Sequence, residues 1–137
     1  MKISFLCSNP KHPVNKYIMK WKSKNNHKHK INLVRAKKDL CGGDLLFLIS
    51  CSEIVEDNIR NTYNKCLVIH ASDLPHGRGW SPHIWEIING GEEIVVSLLE
   101  AENKVDSGAI WHQIKFEVPK NALWDEINKI LFETEIK

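Results

Sequence analysis

Several features that would define a function class are missing from this sequence of 137 residues. No apolar run approaches the roughly 20 residues of a membrane-spanning helix, and the start of the chain lacks the cleavage region of a signal peptide. The net charge is only +2, which counts against nucleic-acid and anionic-membrane partners because these usually require a large basic excess. We therefore expect a cytoplasmic protein with no membrane partner.

Motifs for metals and nucleotides are also missing. No C-x-x-C pair occurs among the four cysteines, which disfavours a zinc ribbon or a redox pair and favours reduced, buried thiols. The histidines at 27 and 29 have no acidic or thiol partner nearby, so we predict no metal site. Neither G-x-G-x-x-G nor a P-loop is found, which disfavours dinucleotide binding.

The composition that remains is that of an ordinary globular protein. Hydrophobic residues make up 42% of the chain and charged residues 26%. A chain of this length can bury roughly 65–70% of the surface that its unfolded form would expose, so a real core can form. We predict a single domain over residues 1–137.

The order of apolar runs and helical patterns predicts an α/β fold. We expect strands at residues 2–8, 31–36, 44–51, 65–72, 92–102 and 109–118. Helices are expected at 12–22, at 53–63, between the N-cap candidate Ser81 and Gly90, and after a cap at Asn121. The first four strands are nearly continuous apolar runs, which indicates a mostly parallel sheet flanked by helices. In the closing helix we expect an inward-facing set of Leu123, Trp124, Ile127, Ile130 and Leu131.

Loops that leave the carboxyl ends of the parallel strands are the expected place for a ligand. His70 ends one such strand and can act as an acid, a base or a cation, or can simply be a hydrogen-bonded strand end. Asp106 lies in the sequence VDSG. Either it is there because aspartate favours turns, or its carboxylate faces His70, which requires the flanking strands to be neighbours. A carboxylate beside an imidazole would orient it, as acyl-transfer sites require.

The segments H70-A-S-D-L-P75 and D106-S-G108, separated by 36 residues from His70 to Asp106, resemble the folate-dependent formyltransferases. The motif of that family is Asn-x-His-x-Ser-x-Leu-Pro followed by Asp-x-Gly. The resemblance covers residues 44–118 well and extends more loosely to the first strand. It implies a Rossmann-like formyltransferase fold, and the chain would be a member shortened at its C-terminus.

The family resemblance implies N10-formyltetrahydrofolate as the donor of a formyl group and an amine as its acceptor. It implies catalytic roles for His70, Asp106 and Ser72, in which the imidazole stabilises an oxyanion or passes protons. The pterin would be received by Ser50, Cys51, Ser52, Glu53, Ile54 and Val105. The acceptor would contact Pro75, Gly77, Arg78, Gly79 and Trp80, and a homodimer is compatible with this assignment.

One position departs from the family motif, because its asparagine corresponds here to Val68. Residues 68 and 70 share one face of a strand, and valine cannot donate a hydrogen bond. Losing one oxyanion donor costs about 10²–10³ in rate. Either another donor, such as Ser72 or a loop N–H, takes its place, or the protein binds folate or a nucleotide sugar with little or no turnover.

The loop sequence HGRGW is most similar to that of bacterial sugar N-formyltransferases, which modify precursors of surface glycans. The resemblance therefore implies an amino sugar, nucleotide-linked, as the acceptor, with a methionyl-tRNA formyltransferase-like protein as the alternative. Arg78 would pair with a phosphate or carboxylate, or lie free in solvent. Trp80 would stack on a ligand, or pack on Trp85 at the helix start. The lysines of residues 16–30 form a solvated face or a phosphate-contacting patch.

Overall fold

Six strands and four helices follow one another in the predicted order, and the computed structural model describes all of residues 1–137. The strands are β1 (Lys2–Leu6), β2 (Lys30–Val34), β3 (Gly43–Ile49), β4 (Tyr63–His70), β5 (Glu93–Glu100) and β6 (Ile110–Glu117). The helices are α1 (Asn15–Asn25), α2 (Asp57–Arg60), α3 (Pro82–Ile88) and α4 (Trp124–Glu135). The predicted α/β class is confirmed.

All six strands belong to one sheet in the order β2-β1-β3-β4-β5-β6. The strands β1 to β4 pair in parallel, and β5 and β6 are added in antiparallel orientation. The sheet is therefore mostly parallel, as predicted. Because parallel strands end at the same edge, the carboxyl ends of β1, β3 and β4 bring their loops together there.

The two faces of the sheet carry separate apolar clusters. One cluster includes Phe5, Ile18 and Leu131 and therefore joins the sheet to α1 and α4. The other includes Leu6, Leu46 and Leu48 on the opposite face. The nearly continuous apolar runs of β1 and β3 are thus buried from both sides. The last strand, β6, lies at the edge of the sheet, and most of its side chains are exposed.

Two predicted helices differ from the structure at their starts. The helix expected over residues 53–63 is only four residues long, because residues 50–56 form a loop and Tyr63 begins β4. The closing helix begins at Trp124 rather than after Asn121, and Glu126 Oε2 accepts the N–H of Leu123 at 2.7 Å. Leu123 and Trp124, predicted to face inward, are 68% and 51% exposed.

The third helix begins and ends where the sequence indicates. Pro82 occupies the first turn, and Gly90 follows the end of the helix with a φ of 83°. Ser81 precedes Pro82 as predicted, but its backbone is left-handed and its side chain makes no capping hydrogen bond. None of the four helices combines the length and the apolar character that crossing a bilayer requires.

A carboxyl group near the end of α4 gives the fold a pH dependence. Glu135 lines a cavity of about 230 Å³ with Phe5 and Phe47, and its Oε2 is buried without a hydrogen-bond partner. Burial raises the pKa of this carboxyl to about 8, so the folded protein holds a proton that the unfolded chain releases above its ordinary value of 4.5. The contribution of Glu135 to the free energy of unfolding should therefore fall as the pH rises from about 5 to 8, by at most about 1.4 kcal/mol per pH unit.

The variant Glu135→Gln should abolish most of this slope, because a neutral amide loses no proton. Urea unfolding of both proteins at a series of pH values measures it. The matched control is Glu133→Gln, whose side chain is exposed on the same helix. Equal pH dependence of stability in wild type and in a folded Glu135→Gln variant between pH 5 and 8 would contradict the assignment.

Candidate active site

Four loops surround the carboxyl edge of the sheet. Residues 7–14, 50–56 and 71–81 follow β1, β3 and β4, and residues 101–109 join β5 to β6. The last of these starts beside the middle of β4, where the N–H of Ala101 donates to Cys66 O at 2.9 Å. It then returns toward the end of β4 and carries Asp106 to His70. A loop between two antiparallel strands thereby contributes to a site at the carboxyl ends of the parallel strands.

His70 and Asp106 come together in the structure. Their Nε2 and Oδ2 atoms are 3.5 Å apart, and the side chains are only 10% and 7% exposed. The strands that precede them, β4 and β5, are neighbours in the sheet, which is the condition on which the predicted pairing depended. The result is a carboxylate beside an imidazole at the carboxyl edge of the sheet, where ligands of α/β folds bind.

The hydrogen bond of His70 defines which ring nitrogen carries a proton. Nε2 lies 2.8 Å from the carbonyl oxygen of Gly77. A carbonyl oxygen only accepts, so Nε2 must be the donor, and the carboxylate of Asp106 is a second acceptor on the same side. The imidazole therefore presents an N–H group toward the 71–81 loop. Such a group can donate to an oxygen that develops negative charge.

Asp106 holds the same loop from the other side. Its backbone is left-handed, with a φ of 51°, which aspartate tolerates better than most residues. Its Oδ2 accepts the N–H of Gly79 at 3.0 Å. Gly79 itself has a φ of 99°, which only glycine adopts without strain. The loop is therefore drawn across the His70–Asp106 pair at two backbone positions.

The other residues of this loop that were predicted to bind substrate face outward. Pro75, Arg78 and Trp80 are exposed, and Trp80 is 72% exposed. Trp85 is 63% exposed as well, so the two indoles do not bury each other at the start of α3. The ring of Trp80 is thus free to contact a ligand.

Ser72 contacts the loop rather than the His70–Asp106 pair. The residue is 8% exposed, and its Oγ donates to the carbonyl of His76 at 2.9 Å. Two residues before His70, Val68 lies between Leu48 and Leu99 on the neighbouring strands and packs against the apolar cluster of that face. The position that holds asparagine in the related motif therefore provides no hydrogen-bond donor here.

The predicted pterin loop, residues 50–54, is fixed by contacts of its own side chains and backbone. Ser50 is left-handed, and its Oγ is 3.3 Å from His12 Nε2. The N–H of Ser52 donates to Ser8 Oγ at 3.0 Å, and the thiol of Cys51 donates to Glu53 O at 3.3 Å. These bonds constrain the conformation of the loop.

The same loop also presents groups that a pterin can use. The N–H groups of Glu53 and Ile54 donate to no other group of the chain. Arg60 ties this loop to the 101–109 loop, since it donates to Val55 O at 2.6 Å and to Asn103 Oδ1 at 2.8 Å. Ile54 and Val105 are 57% and 51% exposed on these two tied loops. Free backbone donors beside exposed apolar side chains fit a flat, polar-edged heterocycle.

Two further histidines near the site favour their neutral forms. Burial lowers the pKa of His12, and burial followed by the charges of His70 and His12 lowers the pKa of His83. Both imidazoles therefore resist becoming cations beside His70. No three side chains of His, Cys, Asp or Glu form a group that could hold a metal ion.

Sequence reasoning missed two polar residues next to the site, Ser97 and Gln113. Ser97 lies directly opposite His70 in the sheet, and Gln113 lies opposite Ser97. The only signal in the sequence is a single hydroxyl within the otherwise apolar run IVVSLL. A lone serine in a strand carries too little information to mark a site.

The fold is shared with solved structures of formyltransferases. The sequence profile described as "Formyl transferase" matches residues 4–137. The chain therefore belongs to the formyl transferase family.

Curated relatives match a shorter part of the chain. The methionyl-tRNA formyltransferase of Buchnera aphidicola is 33% identical over 72 residues, which are 52% of this chain and 23% of that protein. Among solved structures, the methionyl-tRNA formyltransferase from Clostridium thermocellum has a TM-score of 0.78 at 23% identity and is matched over 99% of this chain and 63% of its own. The chain thus spans about a quarter of the length of this curated relative.

A second solved structure contains ligands. The formyltransferase PseJ from Anoxybacillus kamchatkensis, in complex with UDP-4,6-dideoxy-4-formamido-L-AltNAc and tetrahydrofolate, has a TM-score of 0.76 at 18% identity. The match covers 98% of this chain and 70% of that one. At these identities both solved structures support the fold.

Proposed function

We propose that this protein is an enzyme that transfers a formyl group from N10-formyltetrahydrofolate to the amine of an amino sugar, which is nucleotide-linked. The observation that carries the proposal is the approach of His70 Nε2 to Asp106 Oδ2 at 3.5 Å, beside a loop with free backbone donors. Family membership supports the formyl group as the unit transferred. The chain spans only part of its relatives, so the proposed activity depends on the residues of this site.

The donor supplies a formyl carbon that an amine nitrogen can attack. The N–H of His70 Nε2 donates to the formyl oxygen as negative charge develops on it. The carboxylate of Asp106 accepts the proton that the attacking amine must lose, directly or through a water molecule. That proton then leaves with N10 of the folate, so neither residue is changed at the end of the reaction.

The proposed binding residues divide between the two substrates. The N–H groups of Glu53 and Ile54 would bind the polar edge of the pterin, with Ile54 and Val105 against its faces. Ser50, Cys51 and Ser52 would hold this loop in shape. On the acceptor side, Arg78 would pair with a phosphate, Trp80 would stack on a ring, and Pro75 would shape the loop. Gly77 and Gly79 would let the backbone approach the amine.

The loop of residues 71–81 carries the side chains that would select the acceptor. An exposed indole and an exposed guanidinium, three residues or fewer from the glycines that contact the His70–Asp106 pair, are suited to a sugar nucleotide. Methionyl-tRNA is the second candidate, favoured by the curated relatives and by the exposed lysines of α1. A sugar acceptor leaves the rate nearly independent of salt, whereas a tRNA acceptor makes it fall steeply with salt.

The direct test is an acceptor assay with purified protein and N10-formyltetrahydrofolate. Nucleotide-linked amino sugars and methionyl-tRNA are supplied separately, and mass spectrometry detects the gain of one CO unit on either. Formylation of a sugar supports the proposal, and formylation of tRNA alone replaces the acceptor. Binding of folate with no gain on any amine would leave the non-catalytic folate-binding alternative.

The variant Val68→Asn tests whether the site lacks an oxyanion donor. The amide would lie on the same face of β4 as His70 and supply a second N–H toward the formyl oxygen. We expect the rate of formyl transfer to rise by about tenfold or more, because one such donor is commonly worth 10²–10³. Steady-state rates measure the effect, with Val68→Leu as the control that adds no donor. A folded Asn variant with an unchanged rate would mean that a loop N–H already fills this role.

The Rossmann-like description of the fold, the single domain, the cytoplasmic location and the homodimer remain predictions from the sequence.

A further inference from the structure

A row of three polar side chains crosses the sheet at the site. His70 on β4 is paired with Ser97 on β5, and Ser97 is paired with Gln113 on β6, so all three lie on one face. Ser97 is fully buried at 0% exposure. Its neighbours along β5, from Ile94 to Leu99, are otherwise all apolar. An apolar side chain would be more favourable at this buried position, so the hydroxyl of Ser97 indicates a specific role.

Both hydrogen-bonding capacities of the Ser97 hydroxyl are used. Gln113 Nε2 donates to Ser97 Oγ at 2.9 Å, and Ser97 Oγ donates to the carbonyl of Ser72 at 2.7 Å. Because the glutamine amide can only donate there, the hydroxyl hydrogen is forced toward Ser72. Gln113 Nε2 also lies 3.4 Å from Asp73 Oδ1, which ties β6 to the same loop.

The carbonyl that Ser97 binds begins the turn that leads from His70 into its loop. Ser72 then uses its own hydroxyl to bind the carbonyl of His76 at 2.9 Å. The next carbonyl, that of Gly77, accepts the N–H of His70 at 2.8 Å. These hydrogen bonds are joined by covalent bonds within Ser72 and between His76 and Gly77, and together they connect the edge strand through Ser97 to the imidazole.

We propose that Ser97 is a positioning residue for His70, oriented by Gln113. By fixing the Ser72 carbonyl, it holds both the strand end that carries the imidazole and the loop that contacts Nε2. Small displacements of a reacting group can cost up to about 10²-fold in rate. The activity test of Ser97 rests on the proposed formyl transfer, whereas the effect of Ser97 on the His70 ring can be measured without any substrate.

The sheet offers a matched control for a purely structural role. Ser4 is a second buried serine, 1% exposed, on β1, and its Oγ accepts the hydroxyl of Tyr63 at 3.1 Å. Ser97→Ala and Ser4→Ala each remove one buried hydroxyl and leave a buried partner unsatisfied. The hydroxyl of Ser4 makes no hydrogen bond to the loop that covers His70.

The experiment compares full-length wild type, Ser97→Ala, Ser97→Thr and Ser4→Ala. Urea midpoints measure stability, steady-state kinetics separate kcat from KM, and ¹⁵N–¹H correlation spectra report the His70 ring, assigned by its loss in His70→Gln. We expect both alanine variants to lose similar stability. Ser97→Ala alone should lower kcat by about tenfold to hundredfold with little change in KM, and should shift the His70 signals. Ser97→Thr, which keeps the hydroxyl, should restore most of the rate.

The outcomes separate the two proposals. Unshifted His70 signals in a folded Ser97→Ala variant would overturn the positioning role. Wild type that formylates no amine would overturn the proposed function, and the ring signals would still decide the role of Ser97. If Ser97→Ala does not fold, Gln113→Leu on the exposed edge strand removes the donor that orients the hydroxyl. Gln113→Leu should shift the same His70 ring signals, and unshifted signals would again overturn the positioning role.

Discussion

Replacing Asp106 with asparagine should lower kcat/KM for formyl transfer by about 10³-fold or more, because a group that moves the proton contributes 10²–10⁴. An amide cannot take the proton that the attacking amine loses. The shape of the side chain is kept. Asparagine also tolerates the left-handed backbone at φ 51°, and its carbonyl oxygen can still accept the N–H of Gly79.

The free energy of unfolding should therefore change little in Asp106→Asn, which separates a chemical defect from a folding defect. Initial rates and thermal unfolding measure the two quantities. Asp125→Asn makes the same change of charge at an exposed position in the first turn of α4 and should leave the rate unaltered. Equal rates for wild type and a folded Asp106→Asn protein would remove the carboxylate from the proposed reaction.

Replacing Gly108 with alanine should destabilise the protein by about 3 kcal/mol or more, at the upper end of what overpacking usually costs. A Cβ at this position would lie 1.9 Å from the carbonyl oxygen of Glu100 and 2.7 Å from its carbonyl carbon. Both atoms belong to the backbone of β5, so no side chain can turn away to relieve the contact. The 101–109 loop would have to move, and Asp106 would move with it.

Urea unfolding measures this cost, and the formyl-transfer rate should fall in the same variant. Gly90→Ala is the matched control, because Gly90 has a φ of 83° but no atom within 4 Å of an added Cβ. Its cost should be limited to about 1–2 kcal/mol for a left-handed backbone. If Gly108→Ala lost no more stability than Gly90→Ala, the close approach of Gly108 to Glu100 would not constrain the position of the 101–109 loop.

The strands were predictable from the sequence because burial on both faces leaves a direct mark. Runs such as DLLFLISC must be covered by helices, and such strands pair in parallel, so the mostly parallel sheet follows. Helix starts were less predictable. Asn121 is a good cap by residue type, yet its backbone is left-handed and the helix begins three residues later, where Glu126 satisfies the free N–H of Leu123.

The pairing of His70 with Asp106 could be predicted from two motifs, but its geometry could not. The 101–109 loop reaches His70 only because it returns from the level of Cys66 along β4, which depends on the pairing of β5 with β4. The hydrogen bonds of Gly77 and Gly79 likewise depend on the conformation of their loop. The sequence of that loop indicates only that it is flexible. Local patterns carry no information on such tertiary contacts.

The hydrogen bond from His70 Nε2 to the Gly77 carbonyl has a consequence for how the proposed substrate would bind. In the proposed reaction, a neutral formyl oxygen that takes its place would exchange one uncharged acceptor for another, so bound substrate would gain almost no affinity from the imidazole. The oxygen that becomes negative would form a charge-assisted bond, which is roughly twice as strong. The imidazole would therefore stabilise the transition state more than the bound substrate.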